Sequence, residues 1–244
     1  MNSTPISRRE AQVIYEVKDR EMIFFTVEDI KRFLQISINN TYRVLINMEK
    51  KGLALRLEKG RYILKDDWEK LDIYEIASNL LSASYLGFWS ALHFHKLTDQ
   101  VPRKIFIATT KRKRSLKIQT QPVKFITITK KAFFGYEKYG RVVASDVEKT
   151  IIDSLRLPKY SGGIDQVYNA FENDFDIEKI IDYCLIINSS AVTSRLGFFL
   201  EQKGVLKNTA KLVKNITTYS KLDPTGKEVN PNPHWKLYIN RRLE

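Results

Sequence analysis

The chain has 244 residues, 43% of them apolar, which is enough for more than one small core. Its 41 Lys and Arg outnumber 28 Asp and Glu, a net charge of +13 that favours a polyanionic partner. A single cysteine excludes an internal disulfide framework, and no apolar run approaches the roughly 20 residues a membrane-spanning helix needs.

In chain order, a helix is predicted from Ser7, with Ala11, Ile14 and Tyr15 on one face. Thr26, with Asp29 three residues on, predicts the start of a second helix through Val27, Ile30 and Leu34. Ser37 caps a third that stops at Lys50-Lys51-Gly52. Leu53, Leu55 and Leu57 alternate as a strand, Glu58-Lys59-Gly60 turns, and Arg61 to Leu64 returns. Three helices followed by a hairpin predict a winged helix-turn-helix over residues 1–66. At 100° per residue the third helix places Ile38, Thr41, Val44, Leu45 and Met48 on one side and Asn39, Asn40, Arg43, Asn47 and Lys50 on the other. Asn can bond bidentately to adenine and Arg to guanine, and Lys can neutralise phosphate, so this second set is the candidate base-reading face. Arg56, Lys59 and Arg61 flank the wing turn as candidate contacts to phosphate or minor groove. One reading helix covers only a few base pairs, so the expected partner is double-stranded promoter DNA with repeated half-sites about one helical turn, roughly 34–36 Å, apart. No heptad seam is present, which predicts a weak dimer or chains that pair only on DNA.

Lys65-Asp66-Asp67 is the expected seam to a second, α/β domain over 67–244, giving an α+β chain as a whole. A helical pattern runs through Ile73, Ile76, Ala77 and Leu80, and another helix is predicted from Tyr85 to His95. Strands follow at 104–109, 117–118, 123–129 and 141–144, rich in β-branched residues. Helical patterns then dominate 145–215, at Val147 to Leu155, Ile164 to Phe171, Ile177 to Ile187 and Ala191 to Lys203. Residues 222–244 read as a Pro-containing loop and a final strand, His234 to Ile239.

The charge is uneven. Residues 1–66 carry only +4 of the +13, and from Gln100 to Tyr136 there is no acidic residue against ten Lys and Arg. Within this basic segment, Lys111, Arg112, Lys113 and Arg114 are adjacent. Four neighbouring cations repel one another, so they predict a loop that meets a polyanion: flanking operator DNA, a nucleic-acid substrate of a toxin, or an acidic toxin surface, with a solvated hairpin tip as the bland alternative. The expected set contains no metal site, cofactor or catalytic residue. His93 and His95 read as rim residues of a packed helix, Cys184 as a buried thiol and Asp176 as a helix N-cap. The segment Met-Asn-Ser-Thr-Pro-Ile lacks the apolar core of a secretory leader, so a cytoplasmic protein is expected.

Three segments then carry a family likeness. They are Ser90-Ala91-Leu92-His93 continuing through Leu97-Thr98-Asp99-Gln100-Val101-Pro102 into the strand at 105–109; Val143 to Asp153 with Pro158-Lys159-Tyr160-Ser161-Gly162-Gly163; and Arg195-Leu196-Gly197-Phe198-Phe199-Leu200-Glu201. With the N-terminal pattern, and over residues 5–205, the chain resembles the AbiEi-type antitoxins of type IV toxin–antitoxin systems. The resemblance implies a repressor of its own bicistronic operon that also counteracts a nucleotidyltransferase-type toxin, with or without direct contact. It implies no catalytic residue, and the motif positions read as structural. Rival readings are a free-standing winged-helix transcription factor with a sensing or dimerisation domain, and a nucleic-acid-processing enzyme.

Overall fold

The structure, a computed structural model, describes residues 5–205, 209–227 and 230–243. The chain is mixed α+β and divides into two compact units, Met1–Leu80 and Leu81–Glu244.

The first unit contains α1 (Arg8–Asp19), β1 (Phe25–Thr26), α2 (Val27–Leu34), α3 (Ile38–Lys50), β2 (Ala54–Glu58), β3 (Arg61–Leu64), α4 (Lys65–Lys70) and α5 (Ile73–Ser78). It thus runs past the expected seam through two short helices. Local chemistry starts each long helix. Ser7 and Glu10 form a reciprocal capping box on α1, Thr26 and Asp29 another on α2, and the Ser37 hydroxyl accepts from the Asn40 N–H on α3. The three strands form one antiparallel sheet in the order β1-β3-β2. Val13, Val17, Phe25, Ile30, Leu45, Met48, Ala54, Tyr62 and Leu64 fill the core.

Two expectations here are corrected. The inward face of α1 is Glu10, Val13 and Val17, whereas Ala11 is exposed, Tyr15 is 65% exposed and Ile14 half-buried. The Glu10 carboxylate sets this rotation: it bonds the Ser7 N–H at 2.7 Å and the Lys51 ammonium at 2.6 Å. On β2, Leu55 and Leu57 are half-buried and alternate with exposed Arg56 and Glu58, but the strand begins at the buried Ala54 and Leu53 lies outside it.

The second unit holds β4 (Ser84–Leu86), α6 (Phe88–Phe94), β5 (Ile105–Thr109), β6 (Leu116–Ile118), β7 (Gln121–Thr127), β8 (Tyr136–Tyr139), β9 (Val142–Ser145), α7 (Val147–Arg156), α8 (Ile164–Asn169), α9 (Ile177–Ile187), α10 (Ser190–Gln202), α11 (Ala210–Val213), β10 (Ser220–Lys221), β11 (Pro231–Asn232) and β12 (Leu237–Tyr238). Six strands pair in the order β6-β7-β5-β4-β9-β8, with β5–β7 and β4–β9 parallel. Phe106, Ala108, Ile126 and Ile128 join Ile151, Ile152, Leu155, Leu196 and Phe199 in one apolar core.

The predicted helix from Tyr85 to His95 is corrected. Tyr85 and Leu86 are ladder residues of β4, paired with β5, and the helix begins only at Phe88 after an extended Gly87. The last predicted strand shrinks to Leu237 and Tyr238, and β8 was not anticipated. β8 forms a tight hairpin with β9 across Gly140-Arg141, and Leu237 and Tyr238 pair with β11 on one side and β10 on the other.

The tail is fastened by one face of α10. The buried Arg195 guanidinium donates to the carbonyls of Leu155 (2.8 Å), Lys221 (2.8 and 3.1 Å) and Leu222 (3.0 Å). Burial lowers its pKa to about 10. Trp235 lies against Gly197, and its indole N–H donates to Glu201 at 2.7 Å.

Candidate nucleic-acid interface

α3 amphipathicity is set by Thr41, Val44, Leu45 and Met48, which are buried and turn the opposite arc outward. That arc carries Asn39, Tyr42, Arg43, Ile46, Asn47 and Lys50, all exposed, with Asn40 half-buried at its flank. Among the described residues, none of the Asn39, Arg43, Asn47 and Lys50 side chains has a hydrogen-bond or ion-pair partner in the chain. Lys51 differs from Lys50: it turns inward onto Glu10, which is 2% exposed. Burial alone raises the Glu10 carboxyl pKa, but the Lys51 ammonium and the Ser7 N–H outweigh it and hold the group below its usual range. This pair ties the end of α3 to α1 and fixes the angle of the helix.

The hairpin brings Arg56 and Lys59 to the surface. Gly60, with φ of +74°, permits the turn, and the Arg56 Nε donates to the Glu58 carbonyl at 3.4 Å. Arg61 is placed elsewhere. Its guanidinium donates to the carbonyls of Leu80 and Asn79, stands 4.8 Å from the Phe24 ring centre and lies 3.9 Å from Glu58. Burial lowers its pKa. Arg61 therefore anchors the end of this unit and leaves the set of surface cations.

The Lys111–Arg114 run joins β5 to β6. These strands are not neighbours, because β7 lies between them, so the run is a crossover and not a hairpin tip. Lys111, Arg112 and Arg114 are exposed and, among the described residues, without ion pairs. Lys113 is half-buried, its ammonium 5.6 Å from the Phe125 ring centre. On β7, Lys124 lies 4.8 Å from the Tyr160 ring, which Lys159 also approaches at 4.9 Å. Lys113, Lys124 and Lys159 thus each lie against an aromatic ring, while Lys111, Arg112 and Arg114 face solvent.

The polar residues of the 143–163 motif lie mostly inside. Lys149 and Asp153 are fully buried and paired. The Lys149 ammonium is 3.0 Å from the Tyr85 hydroxyl, which donates to Asp153 at 2.8 Å. Burial lowers the Lys149 pKa and raises that of Tyr85 well above its ordinary value. Asp146 caps α7 and accepts the Tyr183 hydroxyl at 2.9 Å, while Glu148 accepts the Asp176 N–H at 2.9 Å and Lys179 at 2.8 Å. Asp176 caps α9. His95 Nε2 lies 2.6 Å from the Ser145 carbonyl oxygen, and burial raises the Cys184 thiol to about 11. These groups stitch helices to the sheet.

Tyr42 and Ile46 were absent from the expected face. The signal for them was angular: Ile46 lies 60° from Arg43 on a helical wheel, as far as Asn40 does on the other side, and sorting by polarity alone passes over it.

No family model and no curated protein matches the sequence. Among solved structures the chain is similar to the RV2827C protein from Mycobacterium tuberculosis, with 15% identity, 96% of this chain and 92% of that chain covered, and a TM-score of 0.60. At that identity the likeness is one of fold.

Proposed function

We propose that the chain is a DNA-binding autorepressor and antitoxin: a winged helix-turn-helix in the first unit docks α3 in the major groove of promoter DNA, and the second unit serves to counteract a nucleotidyltransferase-type toxin. The single observation that carries the DNA half is the unpartnered Asn39-Arg43-Asn47-Lys50 stripe on α3. Buried or structural polar groups find partners within a chain; these four have none, and their chemistry matches base edges and phosphates. Arg56 and Lys59 on the following hairpin add phosphate contacts. The toxin half rests on the resemblance carried by the three motifs, whose buried polar residues act as framework in this reading. The basic crossover at Lys111–Arg114 is the surface of the second unit that meets a polyanion.

The test uses the full chain and the DNA upstream of its own gene. Arg43→Ala is expected to cost about 1–3 kcal/mol in affinity. Lys59→Ala is expected to weaken all sequences alike and to reduce the salt slope by about one unit. Co-expression with a neighbouring nucleotidyltransferase-like product scores rescue of growth. A variant with Ser at 111–114 that keeps promoter affinity and loses rescue assigns the crossover to antagonism, and one with lower affinity for every duplex assigns it to the DNA backbone. Unaltered binding by Arg43→Ala contradicts the docking, and no rescue by the wild type contradicts the antitoxin role.

A further inference from the structure

The polar face of α3 is flanked on one side by two large apolar side chains. Tyr42 and Ile46 are each 46% exposed and stand one turn apart, at i and i+4. Neither is needed by the core, which Thr41, Val44, Leu45 and Met48 already fill. An exposed β-branched residue in mid-helix also lowers helix propensity relative to Lys or Glu. At 100° per residue Ile46 lies 20° and Tyr42 60° to one side of Asn39, with Lys50, Arg43 and Asn47 in turn on the other side, so the arc is apolar along one flank and cationic across the rest, and the half-buried Glu49 lies beyond Tyr42.

Charge decides what covers such a face. A second copy meeting it across a two-fold axis would set Arg43 and Lys50 against their own copies. A polyanion meets no such repulsion. In the major groove of duplex DNA the apolar group on display is the thymine 5-methyl, set among the acceptors and donors that Asn and Arg bond. We propose that Ile46 and Tyr42 pack on thymine 5-methyl groups and so specify T·A pairs beside the bases that the polar stripe reads. The inference rests on the docking of α3 proposed above and deepens it, since Asn and Arg read A and G while the apolar pair reads T.

The test starts from a duplex selected by the full chain from a randomised pool, resynthesised with deoxyuridine in place of thymine at one position at a time. Deoxyuridine keeps every pairing and hydrogen-bonding group and lacks only the methyl. At one or two positions the wild type is expected to bind the thymine duplex about four-fold more tightly, the value of one buried carbon. Ile46→Ala should bind thymine and uracil duplexes equally at the first such position, Tyr42→Ala at the second, and Ile46→Val should retain most of the preference. Equal wild-type affinity for both bases everywhere, while Arg43→Ala still binds at least about ten-fold more weakly, overturns the inference and leaves the docking intact. Indifference to both changes removes the docking as well. A thymine-to-uracil ratio of one, together with a lower sedimentation mass of DNA-free Ile46→Ala, assigns the face to a second copy and also overturns the inference.

Discussion

α3 and α10 are both thirteen-residue helices bearing a run of polar side chains, and they use them in opposite ways. On α10, Arg195 spends its guanidinium on three backbone carbonyls, Thr193 bonds the Ser189 carbonyl, and Glu201 receives the Trp235 indole. On α3, the side chains of Asn39, Arg43, Asn47 and Lys50 bond nothing among the described residues. Within one fold, then, polar groups satisfied internally mark architecture, and the evenly spaced polar groups left in solvent on α3 are the ones that the proposed docking uses. Arg61 and Lys51 sharpen the contrast: Lys51 directly follows exposed Lys50 and Arg61 comes two residues after exposed Lys59, yet both are anchored inward.

The comparison breaks first where internal satisfaction is removed. Asp153→Ala leaves the fully buried Lys149 ammonium with only the Tyr85 hydroxyl, and is expected to cost about 3–5 kcal/mol in urea unfolding, whereas joint replacement of Lys149 by Met and Asp153 by Leu should recover most of that loss. A single variant within about 0.5 kcal/mol of wild type would show the pair to be dispensable. Gly197→Ala comes next. A methyl there falls about 2.0 Å from the buried Trp235 ring, so the tail must shift. About 1–3 kcal/mol of stability should be lost, with faster proteolysis after residue 209 and unchanged affinity for DNA per folded molecule. The smallest effect concerns pH. The Glu10 carboxyl is held below its usual range in the folded state, so its contribution is fully present above the unfolded carboxyl pKa of about 4.3 and fades as pH falls through the lower folded value. Glu10→Gln should therefore be less stable than wild type at neutral pH and should converge with it in acid. A gap that stayed constant down to about pH 3 would show that the Lys51 pair does not carry the difference.

Much of this was readable in sequence wherever the determinant is local. Ser7, Thr26, Ser37 and Asp176 announce helix starts, because a capping side chain and the N–H it accepts lie within three residues of each other. The α3 stripe was legible for the same reason, periodicity being a property of one helix. What escaped depends on distant partners. The segment at 85–87 is helical by pattern, but ladders to β5 and β9 claim Tyr85 and Leu86. β10 pairs with β12 from residue 220 to residue 237, and Arg195 bonds the carbonyls of Lys221 and Leu222 beside it. Arg61 looked like a wing cation until Asn79 and Leu80, nearly twenty residues on, supplied its acceptors. At Lys111–Arg114 a loop between strands is legible, but not that it is a crossover, because the insertion of β7 between β5 and β6 is a fact of topology, not of composition.

The claim that the α3 face reads duplex sequence is tested most directly by comparing what two proteins select from one randomised duplex pool: the wild-type full chain, and a variant with Asn39, Arg43 and Asn47 all replaced by Ala. All three are exposed, so the variant should unfold within about 0.5 kcal/mol of wild type per site. The account predicts that the wild type enriches a defined motif, repeated at about one helical turn, and that the variant still binds DNA at low salt but enriches nothing. Recovery of the same motif by both proteins would contradict it.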